Sequence, residues 1–244
     1  VIIFDEAQMF SIEYLRPCLL MLEELAANYH SSIVLCTATQ PAFADLFQRE
    51  WKITELCPRV EEQFEFFKRV QFKNIGIVSE DGMVERLQKE HQALCIVNTK
   101  KCAQNLYQSM KRDGVYHLST TMYPLHRIRV LNEVRSRLKN GDKCILISTS
   151  LVEAGVDFDF ETVYRQIAGF DSMIQAAGRC NREGKRPVET SSVYIFQLDQ
   201  TERVPGQRQQ IDVANSLLKD GADLSDLESI TKYFKMLYHY KTDQ

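Results

Sequence analysis

Four short segments carry side chains whose types and spacing can do chemistry. Asp5-Glu6-Ala7-Gln8 follows the apolar run Val1-Ile2-Ile3-Phe4. Acids delivered at the carboxyl end of a buried strand suit magnesium (Mg²⁺): one carboxylate holds the ion through its water shell, and its neighbour orients or deprotonates an attacking water. In that scheme Asp5 takes the metal, Glu6 the water, and Gln8 completes the catalytic box. An acidic pair after a strand is equally ordinary turn chemistry, and the tetrapeptide alone does not separate the two. Thr37-Ala38-Thr39 closes the next apolar run, Ile33-Val34-Leu35-Cys36. The hydroxyls of Thr37 and Thr39 can couple a phosphate site to its surroundings through hydrogen bonds, or simply end a strand.

Gln175-Ala176-Ala177-Gly178-Arg179-Cys180-Asn181-Arg182-Glu183-Gly184 is the most specific of the four. Arg179 and Arg182 are three apart, which puts them on one face if the segment is helical, and Gly178 permits close backbone approach. Guanidinium forks facing a polyphosphate stabilise the charge on a departing phosphoryl group, an effect worth about 10³- to 10⁵-fold in rate. A solvated basic turn is the bland alternative. The fourth segment, Ser148-Thr149-Ser150-Leu151-Val152-Glu153-Ala154-Gly155-Val156-Asp157, follows another apolar run. Asp157 suits a ribose hydroxyl, and Thr149 with neighbouring amides suits a nucleic-acid phosphate. Gly155 and Gln175 join Asp157 as expected nucleotide contacts; Asn98 and Arg127 join Thr149 as expected nucleic-acid contacts.

These residues need a scaffold that delivers them at strand ends. Val1 to Phe4 and Ile33 to Cys36 read as strands around a helix in which Ile12, Leu15, Leu19, Leu22 and Leu25 recur at helical spacing, with Pro17 in the first turn. Residues 41–75 are less regular. Alternation then restarts: Leu94 to Val97 as strand, 100–112 as helix, Val115 to Leu118 as strand, and 124–139 as helix. Cys144 to Ile147 and Val163 to Ile167 follow as strands, 171–179 as helix, and Val193 to Phe196 as the last strand. Such alternation predicts an α/β fold with parallel sheets. After a polar linker containing Pro205 and Gly206, residues 207–219 and 225–240 read as an appended helical tail. No repeat and no low-complexity tract interrupts this order.

Composition bounds the remaining possibilities. The 244 residues are 44% hydrophobic, enough for one large core or two medium ones. A formal net charge of −3 excludes a surface uniformly built for polyanions, so any nucleic-acid contact rests on local patches. One such patch is 124–143, where Arg127, Arg129, Arg135, Arg137, Lys139 and Lys143 face only Glu133 and Asp142. A helix charged for solubility alone would look the same. The seven cysteines are odd in number, scattered, and without a C-x-x-C pair, so the sequence points to neither a disulfide framework nor a zinc knuckle. A reducing cytoplasm fits, and no apolar run reaches the roughly 20 residues of a membrane span. The expected chain therefore has no membrane partner.

Together and in this order, Asp-Glu-Ala-Gln, Thr-Ala-Thr, Ser-Thr-Ser-Leu-Val-Glu-Ala-Gly-Val-Asp-Phe-Asp-Phe and Gln-Ala-Ala-Gly-Arg-Cys-Asn-Arg-Glu-Gly resemble the signature helicase-nucleases of type I CRISPR systems, within helicase superfamily two. His117-Leu118-Ser119-Thr120-Thr121-Met122-Tyr123-Pro124-Leu125-His126-Arg127 is similar to the same family, and the likeness runs over roughly residues 1 to 240. The family more often ends the acidic box in histidine, where this chain has Gln8. The resemblance implies two RecA-like lobes, the first truncated at its amino end over 1–75 and the second over 76–200, followed by the tail 201–244. It implies ATP and Mg²⁺ as cofactors, with Asp5 and Glu6 serving the nucleotide from the first lobe and Arg179 and Arg182 from the second. Its partners would be single-stranded DNA, an RNA-guided surveillance complex, and a histidine-aspartate (HD) nuclease domain. An RNA helicase of the same superfamily, or a non-catalytic nucleic-acid- or protein-binding module, are the alternatives.

Neither G-x-x-x-x-G-K-[ST], the loop whose amides cradle phosphates, nor a histidine-aspartate metal cluster occurs in these residues. The five histidines have no neighbouring Asp and no ligand-like spacing. Val1 stands inside an apparent strand, so the natural chain is expected to begin earlier and to carry the phosphate loop there. The 244 residues alone are accordingly expected to hydrolyse ATP negligibly.

Overall fold

The computed structural model describes residues 1–10, 12–37, 43–153, 155–200, 204 and 206–242. In chain order its elements begin β1 (Ile2–Phe4), α1 (Leu15–Asn28), β2 (Ile33–Leu35) and α2 (Val60–Phe66). Next come β3 (Gln71–Val78), α3 (Glu80–Lys89), β4 (Gln92–Ile96), α4 (Lys100–Met110), β5 (Val115–Leu118) and α5 (Pro124–Asn140). The chain continues through β6 (Cys144–Ser148), β7 (Thr162–Gln166), α6 (Phe170–Ala177), β8 (Ser192–Leu198), α7 (Arg208–Lys219) and α8 (Leu227–Thr242). These divide into two compact units, Val1–Phe67 with Asp226–Gln244, and Lys68–Ser225.

In the first unit β1 and β2 pair in parallel, Ile2 opposite Ile33 and Phe4 opposite Leu35. The intervening α1 buries Leu15, Leu19 and Leu22 on one stripe. Pro17 falls in its first turn, where a missing N–H leaves no helical bond unmade. Phe4, Phe10, Phe43 and Tyr238 form a run of ring contacts with centroids 5.6 to 6.1 Å apart, so α8 contributes to this small core.

The second unit is a six-stranded parallel sheet in the order β3-β8-β7-β4-β6-β5. Helices cover both faces, so the inner strands β4, β6 and β7 are buried along their whole length and read as apolar runs rather than alternating ones. Met83 and Leu87 of α3 and Ala103, Leu106 and Met110 of α4 pack against Cys95, Ile145 and Ile147. Helix starts are capped where the sequence allows it: Ser79 Oγ accepts from Gly82 N at 3.1 Å, and Thr99 Oγ1 from Cys102 N at 3.1 Å.

Every strand and helix predicted from the apolar periodicity is present, with bounds within a few residues. Three elements were not foreseen: α2, β3 and α3. Because β3 pairs with β8, the second unit starts at Lys68, ahead of the junction expected near residue 75. The expected tail also divides, α7 falling in the second unit and α8 in the first.

Candidate functional site

The acidic box lies in the turn after β1, with both Asp5 and Glu6 exposed. Asp5 Oδ1 accepts from the Glu6 amide at 3.1 Å, and the Gln8 side-chain amide donates to Glu6 Oε2. Gln8 is itself buried, and its Oε1 has no hydrogen-bond partner. Glu6 adopts the left-handed conformation at φ 55°, ψ 45°, which costs a residue with a Cβ about 1–2 kcal/mol and is found disproportionately at working sites. Main-chain bonds stitch this turn to the end of β2: Cys36 N donates to Phe4 O at 2.8 Å, and Ala7 N to Cys36 O at 2.9 Å. That brings the acidic box beside Thr37, the first of the two expected coupling residues. Thr39 lies outside the described residues.

In the second unit α6 ends at Ala177, so Arg179 and Arg182 stand in the turn beyond it and not on a common helical face. Gly178 caps α6 at φ −62°, ψ −2°, and an added Cβ would meet only the Gln175 and Ile174 carbonyls of the preceding turn, so no close approach of another segment depends on it. Arg179 is buried and points inward: Nε donates to Val152 O at 3.0 Å, and Nη2 to Glu153 O. Arg182 is 43% exposed, and its Nη2 meets Asp157 Oδ1 at 2.7 Å. The Arg182 amide donates to Asp159 Oδ1 at 2.8 Å, and Arg186 Nη2 reaches the same oxygen at 3.1 Å. Asn181, buried and left-handed at φ 47°, donates to Arg69 O at 3.0 Å and Arg186 O at 2.7 Å while accepting from Arg186 N at 2.9 Å. The turn is therefore a built loop that presents one arginine and withdraws the other. Between them Cys180 is buried, and burial pushes its thiol up to about 12.

The segment after β6 is fixed by a second polar cluster. Arg165, fully buried in β7, donates from Nη1 to Asn98 Oδ1 at 2.7 Å and Gln166 O at 2.6 Å, and from Nη2 to Ser172 Oγ at 2.8 Å. Its Nε lies 2.9 Å from Glu153 Oε1, a charge contact without the angle of a hydrogen bond. Ser172 Oγ donates in turn to Glu153 Oε2 at 2.8 Å. Burial raises the Glu153 carboxyl even beside Arg165, and raises that of nearby Asp171 as well. Asn98, expected to touch nucleic acid, has its side chain engaged in this cluster at both ends, Nδ2 donating to Ile167 O at 2.8 Å.

The other expected residues are dispersed. Thr149, half-buried, precedes the single turn Ser150–Val152 without a side-chain capping bond, and Gly155 turns the chain at φ 71° before Asp157. Gln175 is half-buried on α6. Arg127 is half-buried in the first turns of α5. Three of the six basic residues in that region are already engaged: Arg137 pairs with Asp113, whose carboxyl it holds below the usual carboxylate range, Lys143 donates to Gln88 O at 3.1 Å, and Arg135 donates to Asn132 Oδ1 at 3.1 Å. Glu153, Asp159, Arg165, Ser172 and Asn181 were not singled out by sequence. One signal was available: Arg165 and Gln166 interrupt an apolar strand, and a charge in an inner parallel strand must find buried partners.

A family model described as CRISPR-associated nuclease/helicase Cas3, C-terminal, matches residues 89–185. A CRISPR-associated nuclease/helicase Cas3 of Haloferax volcanii is 40% identical over 91 residues, 36% of this chain and 10% of that protein. A CRISPR-associated helicase Cas3 of Thermoproteus tenax is 24% identical over 98% of this chain and 41% of its own length. Of the three curated relatives matched, the chain thus spans between 10% and 41% of the length. Among solved structures, T. fusca Cas3 with ATP superposes with a TM-score of 0.72 at 17% identity, covering 99% of this chain and 35% of that one. A chain of a CRISPR RNA-guided surveillance complex in its pre-nicking form gives 0.67 at 17% identity, covering 96% and 37%. The resemblance to the type I CRISPR helicase-nucleases is borne out by sequence and fold, and the parallel α/β architecture matches the RecA-like lobes of the Cas3 helicase. No helix among the described residues is long and apolar enough to cross a membrane.

Proposed function

We propose that the chain is part of an ATP-driven motor that moves along single-stranded DNA in type I CRISPR interference. In the whole protein it would be recruited by an RNA-guided surveillance complex and work with an HD nuclease domain outside these residues. The observation that carries this is the presentation of Arg182, its amide fixed by Asp159 and its guanidinium held on Asp157, inside the stretch that matches the Cas3 family model.

The residues present fit magnesium-bound ATP. Asp5 offers an exposed carboxylate at the end of a parallel strand, a hard oxygen donor suited to a hydrated Mg²⁺ ion. Arg182 offers a fork suited to phosphate oxygens, and Asp157 is 82% exposed beside it, with carboxylate capacity left for a ribose hydroxyl. Bound nucleotide supplies the phosphoryl group whose transfer releases the energy for movement. Gln8 holds the Glu6 carboxylate in place, and Glu6 orients the attacking water and takes its proton. Arg179 serves by holding the carbonyls of Val152 and Glu153, which sets the segment leading to Asp157. Thr37, next to the acidic box, fits a coupling role, as Thr39 does by sequence.

Phosphate release by the complete protein, with and without single-stranded DNA, tests this. Glu6→Gln is expected to lower kcat about 10²- to 10⁴-fold, and Arg182→Ala about 10³- to 10⁵-fold. Wild-type rates in both variants overturn the assignment. Stronger stimulation by RNA than by DNA would point instead to an RNA motor. The 244-residue chain alone, which contains no phosphate loop, is expected to show no DNA-stimulated turnover.

A further inference from the structure

The cluster around Arg165 joins four parts of the second unit: the end of β4 through Asn98, β7 through Arg165 and Gln166, α6 through Ser172, and the segment after β6 through Glu153. It does not stop there. The peptide carbonyl of Glu153 accepts from Arg179, whose Nε donates to the preceding carbonyl of Val152. Glu153 is thus gripped by its carboxylate from β7 and α6 and by its main chain from the arginine loop. Four residues further on stands Asp157, the partner of Arg182.

Burying an ion pair is poor value for stability, because well-packed apolar side chains of similar volume do as well or better. What such a cluster supplies is geometry: a guanidinium fork fixes its acceptors in a plane, and each bond excludes a neighbouring arrangement. We infer that Arg165, with Glu153 and Ser172, is a positioning set that locks the chain at Glu153 onto α6 and thereby places Asp157, which aims Arg182. None of the three touches nucleotide; they act through Arg179 and Asp157. The catalytic consequence rests on the motor assignment above, whereas the locking itself does not.

The test has two arms. In the complete protein, hydrogen exchange is measured in Ser172→Ala and Glu153→Gln. Faster exchange confined to the amides between Thr149 and Asp157 and to the arginine loop is expected. Unchanged exchange, or a uniform rise that includes the inner strands, overturns the positioning role. In the complete protein, the same variants and Arg165→Lys are expected to lower kcat for DNA-stimulated ATP hydrolysis by about 10²-fold, the loss that a misplacement of roughly 1 Å produces, with KM for ATP little changed. Variants that stay folded with wild-type kcat defeat the inference. A wild-type protein that does not hydrolyse ATP defeats the motor assignment instead, and leaves the exchange result to decide the locking.

Discussion

Glu6 and Glu23 show how differently two acids of one small unit can be held. Glu6 is exposed, strained in its backbone and fastened by a single amide from Gln8, as suits the water-facing role proposed for it. Glu23 is 5% exposed on α1 and accepts from Arg49 N at 2.9 Å and Trp51 Nε1 at 3.0 Å. Burial pulls its carboxyl upward, but these hydrogen bonds outweigh that, and the net result lies below the ordinary value. A folded-state pKa below the unfolded one means that the contribution to stability is complete above the unfolded pKa. It is lost as pH falls through the folded one. Glu23→Gln is therefore expected to destabilise by about 1–3 kcal/mol near neutral pH. The gap should narrow at an acid pH below the ordinary glutamate range, as pH falls through the lowered folded-state value. Urea titrations of both proteins at the two pH values measure it, and an equal gap at both would show that Glu23 acts by packing alone.

At the level of elements, what was legible depended on burial. Inner strands covered on both faces, such as β4 and β6, appear in the sequence as unbroken apolar runs, and α4 and α7 as clear amphipathic stripes. β3 is an edge strand whose half-buried residues, Phe72, Ile75 and Val78, recur every third position and not every second, because its pairing with β8 slips between Asn74 and Ile77. Its period therefore matches neither template. α3 was hidden for the opposite reason: only Met83 and Leu87 are buried, among eight other residues that are polar, small or partly exposed. Within the site, residue type announced the acids and the arginines, but no one-dimensional spacing could say that Arg179 turns inward while Arg182 stays out. Turn geometry was legible only at glycines, and two of them separate strain from crowding. Gly141 caps α5 at φ 73° with open space around an added Cβ, so Gly141→Ala is expected to cost about 1 kcal/mol from backbone conformation alone. Gly114 has φ 78° and would place a Cβ 2.8 Å from the Lys143 carbonyl oxygen, so Gly114→Ala should cost at least about 1 kcal/mol more than Gly141→Ala. Thermal or denaturant unfolding ranks the two, and equal losses would contradict the close approach of the β5 and β6 connections.

For the whole molecule, the proposed motor would require a chain of net charge −3 to hold a polyanion. The balance is uneven: the stretch 124–143 carries six basic side chains against two acids. The structure further sorts those six. Arg137 stacks over Tyr116 at 5.8 Å, pairs with Asp113 and approaches the Lys143 carbonyl, while Lys143 ties back to Gln88. These two are structural; Arg135 donates to neighbouring Asn132 at 3.1 Å, and the proposed phosphate contacts fall to Arg127, Arg129, Arg135 and Lys139. Counterion release then gives a measurable difference. For a single strand, each phosphate neutralised contributes about −0.7 to the slope of log K against log salt. Arg127→Ala is expected to flatten that slope by roughly this amount and to weaken binding at low salt, with no change in stability beyond about 0.5 kcal/mol. Arg137→Ala should do the reverse, lowering stability while leaving the slope unchanged, because its charge is already spent on Asp113. Fluorescence titrations of a labelled oligonucleotide at several salt concentrations, paired with unfolding curves, distinguish the two. A flat salt dependence in the wild-type chain, or a slope altered by Arg137→Ala and not by Arg127→Ala, would move the nucleic-acid surface away from α5.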